Sequence, residues 1–307
     1  MPPTIDIIRH AESYHNVADA GYPDAPITHK GRRQCETLRQ EYPFGDKVTH
    51  IVSSPLRRAI ETAVIAIQPI VNEHVRITLR PELQEINATP SSTGSPKANL
   101  QASFKNVPNL EMSALTEDWY LKGSDTRFAP STEKVEKRAK AARCFLRAIA
   151  LTAGREDAHI VVVTHGEFAH WLTDDFVGVG YHRNSSWVVC QCRSYQFENL
   201  DTFVMDDVPL IETPESLERR GLDPSRQPTS PDGRDQAQLK RIASITIQMH
   251  ANALEAYERE KQEELELRGA VPDREGDDAW VDIDEEAGKE NKDITSTAAW
   301  RSQLVRG

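Results

Sequence analysis

Three short stretches of this 307-residue chain place basic or hydrogen-bonding side chains directly after apolar runs. "TIDIIRH" ends on Arg9 and His10, "IVSSPLRR" on Ser53, Ser54, Arg57 and Arg58, and "HIVVVTHG" on Thr164, His165 and Gly166. A buried strand does not normally end in adjacent basic residues unless an anion or water waits at its tip. Two histidines and at least two arginines beside helix N-termini describe an anion site, and phosphate is its leading occupant.

Such a site needs a scaffold that gathers the three strand ends. Residues 4–8, 49–53, 74–79 and the continuous apolar run of "HIVVVTHG" read as strands, with two more candidates at 186–192 and 195–199. Helical patterns cover 28–42, which Thr28 can cap, 55–67 with Pro55 at its start, and 131–153, closing at Gly154. Strands that are continuous rather than alternating belong in a sheet covered on both faces. Strands alternating with helices then predict a three-layer α/β/α sandwich with a mostly parallel central sheet. In open α/β sheets the ligand crevice lies at the C-terminal ends of the strands, where Arg9, Ser54 and His165 would stand.

The alternation stops at residues 86–130, read as an inserted cap segment over the sheet edge, of the kind that shapes substrate choice. A second composition shift comes near residue 205. Residues 1–205 are expected to form the catalytic domain and 206–307 an acidic C-terminal extension. The stretch "PESLERRGLDPSRQPTSPDGRD" reads as linker, 236–268 as a long helix docking back on the core, and the following acidic segment as mobile, with Trp280 and Trp300 as anchors.

Net charge is −11, but residues 206–307 carry 24 acidic against 14 basic side chains, so the acidity belongs to the extension rather than to the site. An acidic chain argues against nucleic acid as a partner. No window reaches the roughly 18 apolar residues of a membrane span, and the N-terminus lacks a signal-peptide pattern. Cys35, Cys144, Cys190 and Cys192 have neither metal-site spacing nor the density of a disulfide framework. The expectation is a soluble protein of a reducing compartment, cytoplasmic or nuclear, without membrane or nucleic-acid partners. Cys190 and Cys192 are expected on one face of a strand, in the core.

"RHAESYHN", "PITHKGRRQCETL", "SSPLRRAIETA", "LQE" and "VVVTHGEF" occur in an order and spacing similar to the histidine phosphatase superfamily, which includes cofactor-dependent phosphoglycerate mutases. The resemblance covers about residues 4–200 in intermittent blocks. It implies that His10 is a nucleophile forming a phosphohistidine, with Arg9, Arg57 and His165 holding the phosphoryl oxygens. It also implies that Asn16 is an extra phosphate contact, with Thr28 and Gly166 among the substrate-binding positions, and that Glu85 protonates the leaving oxygen and then activates water. Neither metal nor cofactor is implied, since cationic side chains take over the metal's charge-neutralising task.

Alternatives accompany several positions. Arg58 rivals Arg57, although the family register favours Arg57; Glu82 and Glu167 rival Glu85. His15, His29, His50, His74, His159, His170 and His182 match no catalytic position and are expected to be structural, and Gly31 and Gln34 are expected to serve packing. The first motif reads Arg-His-Ala where many members have Arg-His-Gly, so Ala11 adds a methyl beside the nucleophile. A mutase would be expected to bring further arginines in the insertion, but Arg127 is the only arginine between residues 81 and 137. The leading expectation is therefore a metal-independent phosphatase acting on a small phosphorylated metabolite. The alternatives are a mutase, a biosynthetic enzyme recruited from the fold, and a non-catalytic phosphate-binding scaffold.

Overall fold

Ile5, Ile7 and Ile8 are all fully buried because β1 (Thr4–Arg9) lies inside a sheet with helices on both faces, as a computed structural model of the chain shows. The structure describes residues 2–17, 21–153, 157–180, 187–200, 207–225, 230 and 232–269. The expectations for Gly154, His182, Trp280, Trp300 and the acidic tail lie outside these residues.

The remaining strands are β2 (Val48–Ser53), β3 (Ile77–Leu79), β4 (Leu110–Glu111), β5 (His159–Thr164), β6 (Cys192–Phe197) and β7 (Leu210–Glu212). Their order is β4-β3-β2-β5-β1-β6-β7, parallel from β4 to β1 and antiparallel at β6 and β7. Alternate side chains of each strand feed opposite faces. Ile5, Ile7, Ile160 and Val162 pack under α5 (Thr132–Thr152) and α6 (Gly166–Thr173). Ile8, Ile51, Val161 and Val163 pack under α2 (His29–Glu41) and α3 (Arg57–Thr62). This is the three-layer sandwich expected from the alternating pattern. Two short helices, α1 (Tyr14–Val17) and α4 (Lys97–Ser103), lie in the connections.

Asp6 is the one polar side chain in the β1 core, and three donors satisfy it. Tyr42 Oη and His159 Nδ1 each reach Oδ2 at 2.6 Å, and Ser194 Oγ reaches Oδ1 at 2.6 Å. A buried carboxylate is tolerable where such partners replace water. The hub ties α2, β5 and β6 to the strand that carries the nucleophile.

Several boundaries differ from expectation. The two strands expected at 186–192 and 195–199 are one, β6, preceded by a turn in which Cys190 has φ 58°. Cys190 and Cys192 therefore do not share a strand face. Helix 55–67 starts at Arg57 and widens into a π turn over Ala63–Ile67.

The expected domain boundary at 205 falls inside one compact unit, Met1–Ala251. Beyond it, β7 completes the sheet, and α7 (Pro214–Arg219) is capped by Thr213, whose hydroxyl accepts from the Ser216 amide. Helix α8 (Gln236–Gly269) contributes Leu239, Ala243 and Ile247 to the core beside α5 and α6. Gln236 Oε1 accepts from Phe176 N at 2.8 Å, and Lys240 Nζ lies 3.3 Å from Asp174. The docking expected for this helix is thus present over its first half. Residues Asn252–Gly307 form a second unit, helical through Gly269.

Gly31 shows what the close packing under the site demands. A Cβ there would lie 2.1 Å from the carbonyl oxygen of Glu12, while Gln34 Oε1 accepts from Glu12 N at 2.9 Å. Gly31→Ala must push α2 away from the loop that follows the nucleophile. The expected cost is about 1–3 kcal/mol of unfolding free energy, read as a lower urea midpoint; an unchanged midpoint would show that the helix can shift freely.

Candidate active site

Parallel pairing brings the strand ends into adjacency. Arg9 pairs with Thr164 and Ser53 with Val163 in the β1–β5 and β2–β5 ladders. The chain continues that register for one residue: His10 N donates to Thr164 O at 2.9 Å, and Ser54 N to Val163 O at 2.9 Å. His10, Ser54 and His165 are thereby forced together at the crevice.

His10 is 1% exposed, and its ring lies 5.1 Å from that of His165. Its Nδ1 is 2.7 Å from Ala11 O, and a carbonyl only accepts, so Nδ1 carries the proton. Nε2 is left with its lone pair, which accepts from Arg58 Nε at 3.2 Å. Burial holds the imidazole well below its ordinary pKa, and Arg58, His15 and Arg9 add repulsion of the protonated form. Ala11, fully buried, accommodates its methyl while its amide donates to Thr62 Oγ1 at 3.0 Å.

The double arginine stands one residue out of the expected register. Leu56 caps α3, which puts Arg57 on the helix's outer side, 3.6 Å from Glu61 four residues on. Arg58 points inward and is fully buried, donating to His10, to Ser91 O, and to Ser92 Oγ at 3.4 Å. Burial draws its guanidinium down to about 10, opposed by Glu85 and Asp24. The cation placed against His10 is Arg58, not Arg57.

Arg9 donates to Trp187 O, and its Nε is buried without a partner. Burial lowers it, with Glu85 and Glu167 acting in the opposite sense. His165 is also fully buried and held well below its ordinary range by desolvation, then by Arg58. Its Nε2 lies 2.8 Å from Ser54 Oγ, which already accepts from Leu56 N at 3.3 Å. With the serine proton directed at Nε2, Nδ1–H is a buried donor without a protein partner.

Glu85 hangs on the N-terminus of α6. Oε1 accepts from Ile86 N and Phe168 N, both at 3.0 Å, and Oε2 from Glu167 N at 3.4 Å. Its pKa is nevertheless raised, first by desolvation and then by Glu167, against the opposing pull of the Ile86 amide and of Arg58 and Arg9. Glu82 is committed elsewhere, to Arg80 at 3.1 Å and Arg127 at 2.8 Å. Glu167, also raised by burial, accepts from Asn87 Nδ2 at 3.4 Å. Gly166 opens α6 between His165 and the amides that Glu85 occupies.

Two expected contacts serve other purposes. Asn16 is exposed; its Oδ1 accepts from Ser13 N at 3.0 Å and its Nδ2 lies 3.2 Å from His15 Nε2. Thr28 Oγ1 caps α2 by accepting from Gly31 N, and donates to Glu12 Oε1 at 2.8 Å. The Thr28 hydroxyl has no spare proton for phosphate.

Other residues at the site had no role in the sequence reading. His15 lies 5.4 Å from the His10 ring and is driven to about 2 by burial and the arginines. Lys122 donates to the carbonyls of Glu85 and Asn87, and Arg138 to those of Glu82, Gln84 and Glu85. His250, on α8, is lowered by burial, with Glu85 and Lys122 the charges acting on it. Among the described residues, no group of three or more His, Cys, Asp or Glu could hold a metal ion.

A family model described as "Histidine phosphatase superfamily (branch 1)" matches residues 5–200. A "Phosphoglycerate mutase-like protein" of Arabidopsis thaliana is 25% identical over 56% of this chain and 74% of its own length. A "Probable phosphatase" of Schizosaccharomyces pombe is 28% identical over 38% of this chain and 54% of its own length. A solved ecdysone phosphate phosphatase from Bombix mori, in complex with tungstate, is 17% identical over 76% of this chain and 97% of that one, with a TM-score of 0.47.

Proposed function

This chain belongs to the histidine phosphatase superfamily, and from that premise we propose that it hydrolyses a phosphate ester of a small metabolite through a phosphohistidine on His10, without a metal ion. The observation that carries this reading is the His10 tautomer: Nδ1–H is fixed on Ala11 O, so the lone pair at Nε2 faces Arg58. Family membership and the phosphatase-named relative support a phosphoric-ester hydrolase.

In the proposed first step Nε2 attacks phosphorus, the bond from phosphorus to the ester oxygen breaks, and the leaving oxygen takes a proton from Glu85. In the second, water gives a proton to Glu85 and attacks the phosphohistidine, releasing phosphate and restoring the lone pair. Arg9, Arg58 and the Nδ1–H of His165 offset the charge of the transferring group. Arg127, bound to Glu82, is committed to an ion pair rather than presented to a phosphoglycerate. That favours hydrolysis over transfer between carbons.

Incubation with p-nitrophenyl phosphate and EDTA, quenched in base, is expected to trap an acid-labile phosphoryl group on the His10 peptide. Turnover without such an adduct, or turnover abolished by EDTA, would refute the proposal. Labelled phosphate is expected to end in water; its appearance on another carbon of a phosphoglycerate would indicate a mutase. The four cysteines are free thiols, which fits the reducing, cytoplasmic compartment we assign. Among the described residues, no helix is long and apolar enough to cross a membrane.

The titrations give this reading a pH signature. His10 has a lowered pKa, so its active, neutral form persists as pH falls through the ordinary imidazole value of about 6.5. Glu85 has a raised pKa, so its acid form persists above the ordinary carboxyl range and is lost as pH rises through the raised value. The kcat/KM profile is expected to be shifted to acid, with its alkaline limb absent in Glu85→Gln. An acid limb centred near pH 6.5 would contradict it.

A further inference from the structure

We propose that Lys122, carried by the insertion, is the positioning residue that sets Glu85 for proton transfer. The inference rests on the reading of Glu85 as the acid. Lys122 is 4% exposed, and its Nζ donates at 2.8 Å to Glu85 O and at 2.8 Å to Asn87 O. The two carbonyls flank Ile86, so one amine clamps the turn from which the Glu85 carboxyl projects.

The insertion meets this turn at a second point: Gln84 Nε2 donates to Trp119 O at 3.0 Å, and Trp119 is fully buried. The short segment from Trp119 to Lys122 therefore runs along Gln84–Asn87 and fastens it at successive residues. Asn87, whose carbonyl Lys122 holds, donates through Nδ2 to Glu167, whose own amide reaches Glu85 Oε2. A displacement of the turn would thus be felt at both carboxyls of the site.

Arg138, on α5, donates at 3.4 Å to the same Glu85 carbonyl from its own position. Arg138 spreads its bonds over Glu82, Gln84 and Glu85, whereas Lys122 alone reaches Asn87. The charged groups facing the amine are Arg138, Glu85, Arg58 and Asp24, and burial lowers its pKa well below that of an ordinary lysine. Two N–H bonds of the amine are thereby matched to the two carbonyls.

A leaving-group comparison tests the assignment. Phenyl phosphate expels a basic oxygen and needs the acid, whereas 2,4-dinitrophenyl phosphate expels a stable anion and does not. Lys122→Met keeps the stem but loses both donors. It is expected to lower kcat/KM about 30-fold on phenyl phosphate, within the range a displaced catalytic group can cost, and less than about 3-fold on the dinitro ester. Added to Glu85→Gln, it should cost little more than Glu85→Gln alone, as two residues acting as a unit must.

Equal losses on both esters in Lys122→Met, or additive losses in the double variant, would overturn the positioning role while leaving the acid in place. No leaving-group dependence in Glu85→Gln itself would overturn the acid reading, and the inference with it. If Lys122→Met does not fold, Lys122→Gln, whose amide offers two N–H donors, enters the same comparison. It must then retain more phenyl phosphate activity than Lys122→Ala for the assignment to stand.

Discussion

His10→Ala is expected to reduce p-nitrophenyl phosphate turnover by at least about 10⁵-fold, the scale seen when a covalent nucleophile is deleted. Two features make the effect this large. The lone pair at Nε2 is held ready for attack, with its tautomer fixed by Ala11 O. The alternative, direct attack by water, would use the cations of the site but would lose the pre-oriented imidazole. The change should cost the fold the two side-chain hydrogen bonds of the imidazole, Nδ1 to Ala11 O and Arg58 to Nε2, each worth about 1 kcal/mol. Inorganic phosphate should still bind within about tenfold of the unaltered protein, because Arg9, Arg58 and His165 remain and Arg58 is released from Nε2. Turnover within tenfold of the unaltered protein would sink the nucleophile assignment. Loss of phosphate binding together with turnover would show that His10 holds the site's structure rather than its chemistry.

The sandwich and the crevice were legible because each strand ends abruptly. Apolar runs such as Ile160–Val163 pass directly into Thr164 and His165, and parallel pairing then leaves the strand tips little freedom but to converge. Asp6 was visible as a break in the first run, but nothing local announced that Tyr42, His159 and Ser194, from three other segments, would satisfy it. Lys122, Arg138 and His250 were illegible for the same reason: each reaches the Glu85 region from a distant segment, and ordinary surface chemistry would explain such residue types equally well. The segment after residue 205 misled through its composition. Proline and charge suggested a linker, yet Thr213 followed by Pro214 is a helix start, and Leu210 on the edge strand and Leu217 on α7 are both buried.

The double arginine had a readable signal that family register overrode. Arg57 and Glu61 are four residues apart, the spacing of a solvent-facing ion pair, and Arg58 and Thr62 form the parallel pair facing inward. Thr62 then carries the geometry onward, since its Oγ1 bonds Arg58 O at 2.7 Å and accepts from Ala11 N. Arg58→Ala is therefore expected to lower kcat/KM by about 10²–10³-fold, the cost of removing one preorganised donor from a dry site. Arg57→Ala should cost less than about tenfold, because a half-exposed i,i+4 pair contributes only about 0.3–0.5 kcal/mol. Arg58→Lys should not restore the rate, since an ammonium cannot reproduce bonds to His10, Ser91 and Ser92 from one planar fork. The arginines can be separated further by pH. Arg58 contributes to the depression of His10, so its loss should move the acid limb upward toward pH 6.5, whereas loss of Arg57 should leave that limb where it is. The reverse pattern, with Arg57→Ala the more damaging and the limb shifting with it, would mean that the catalytic cation is recruited from the helix surface when substrate binds.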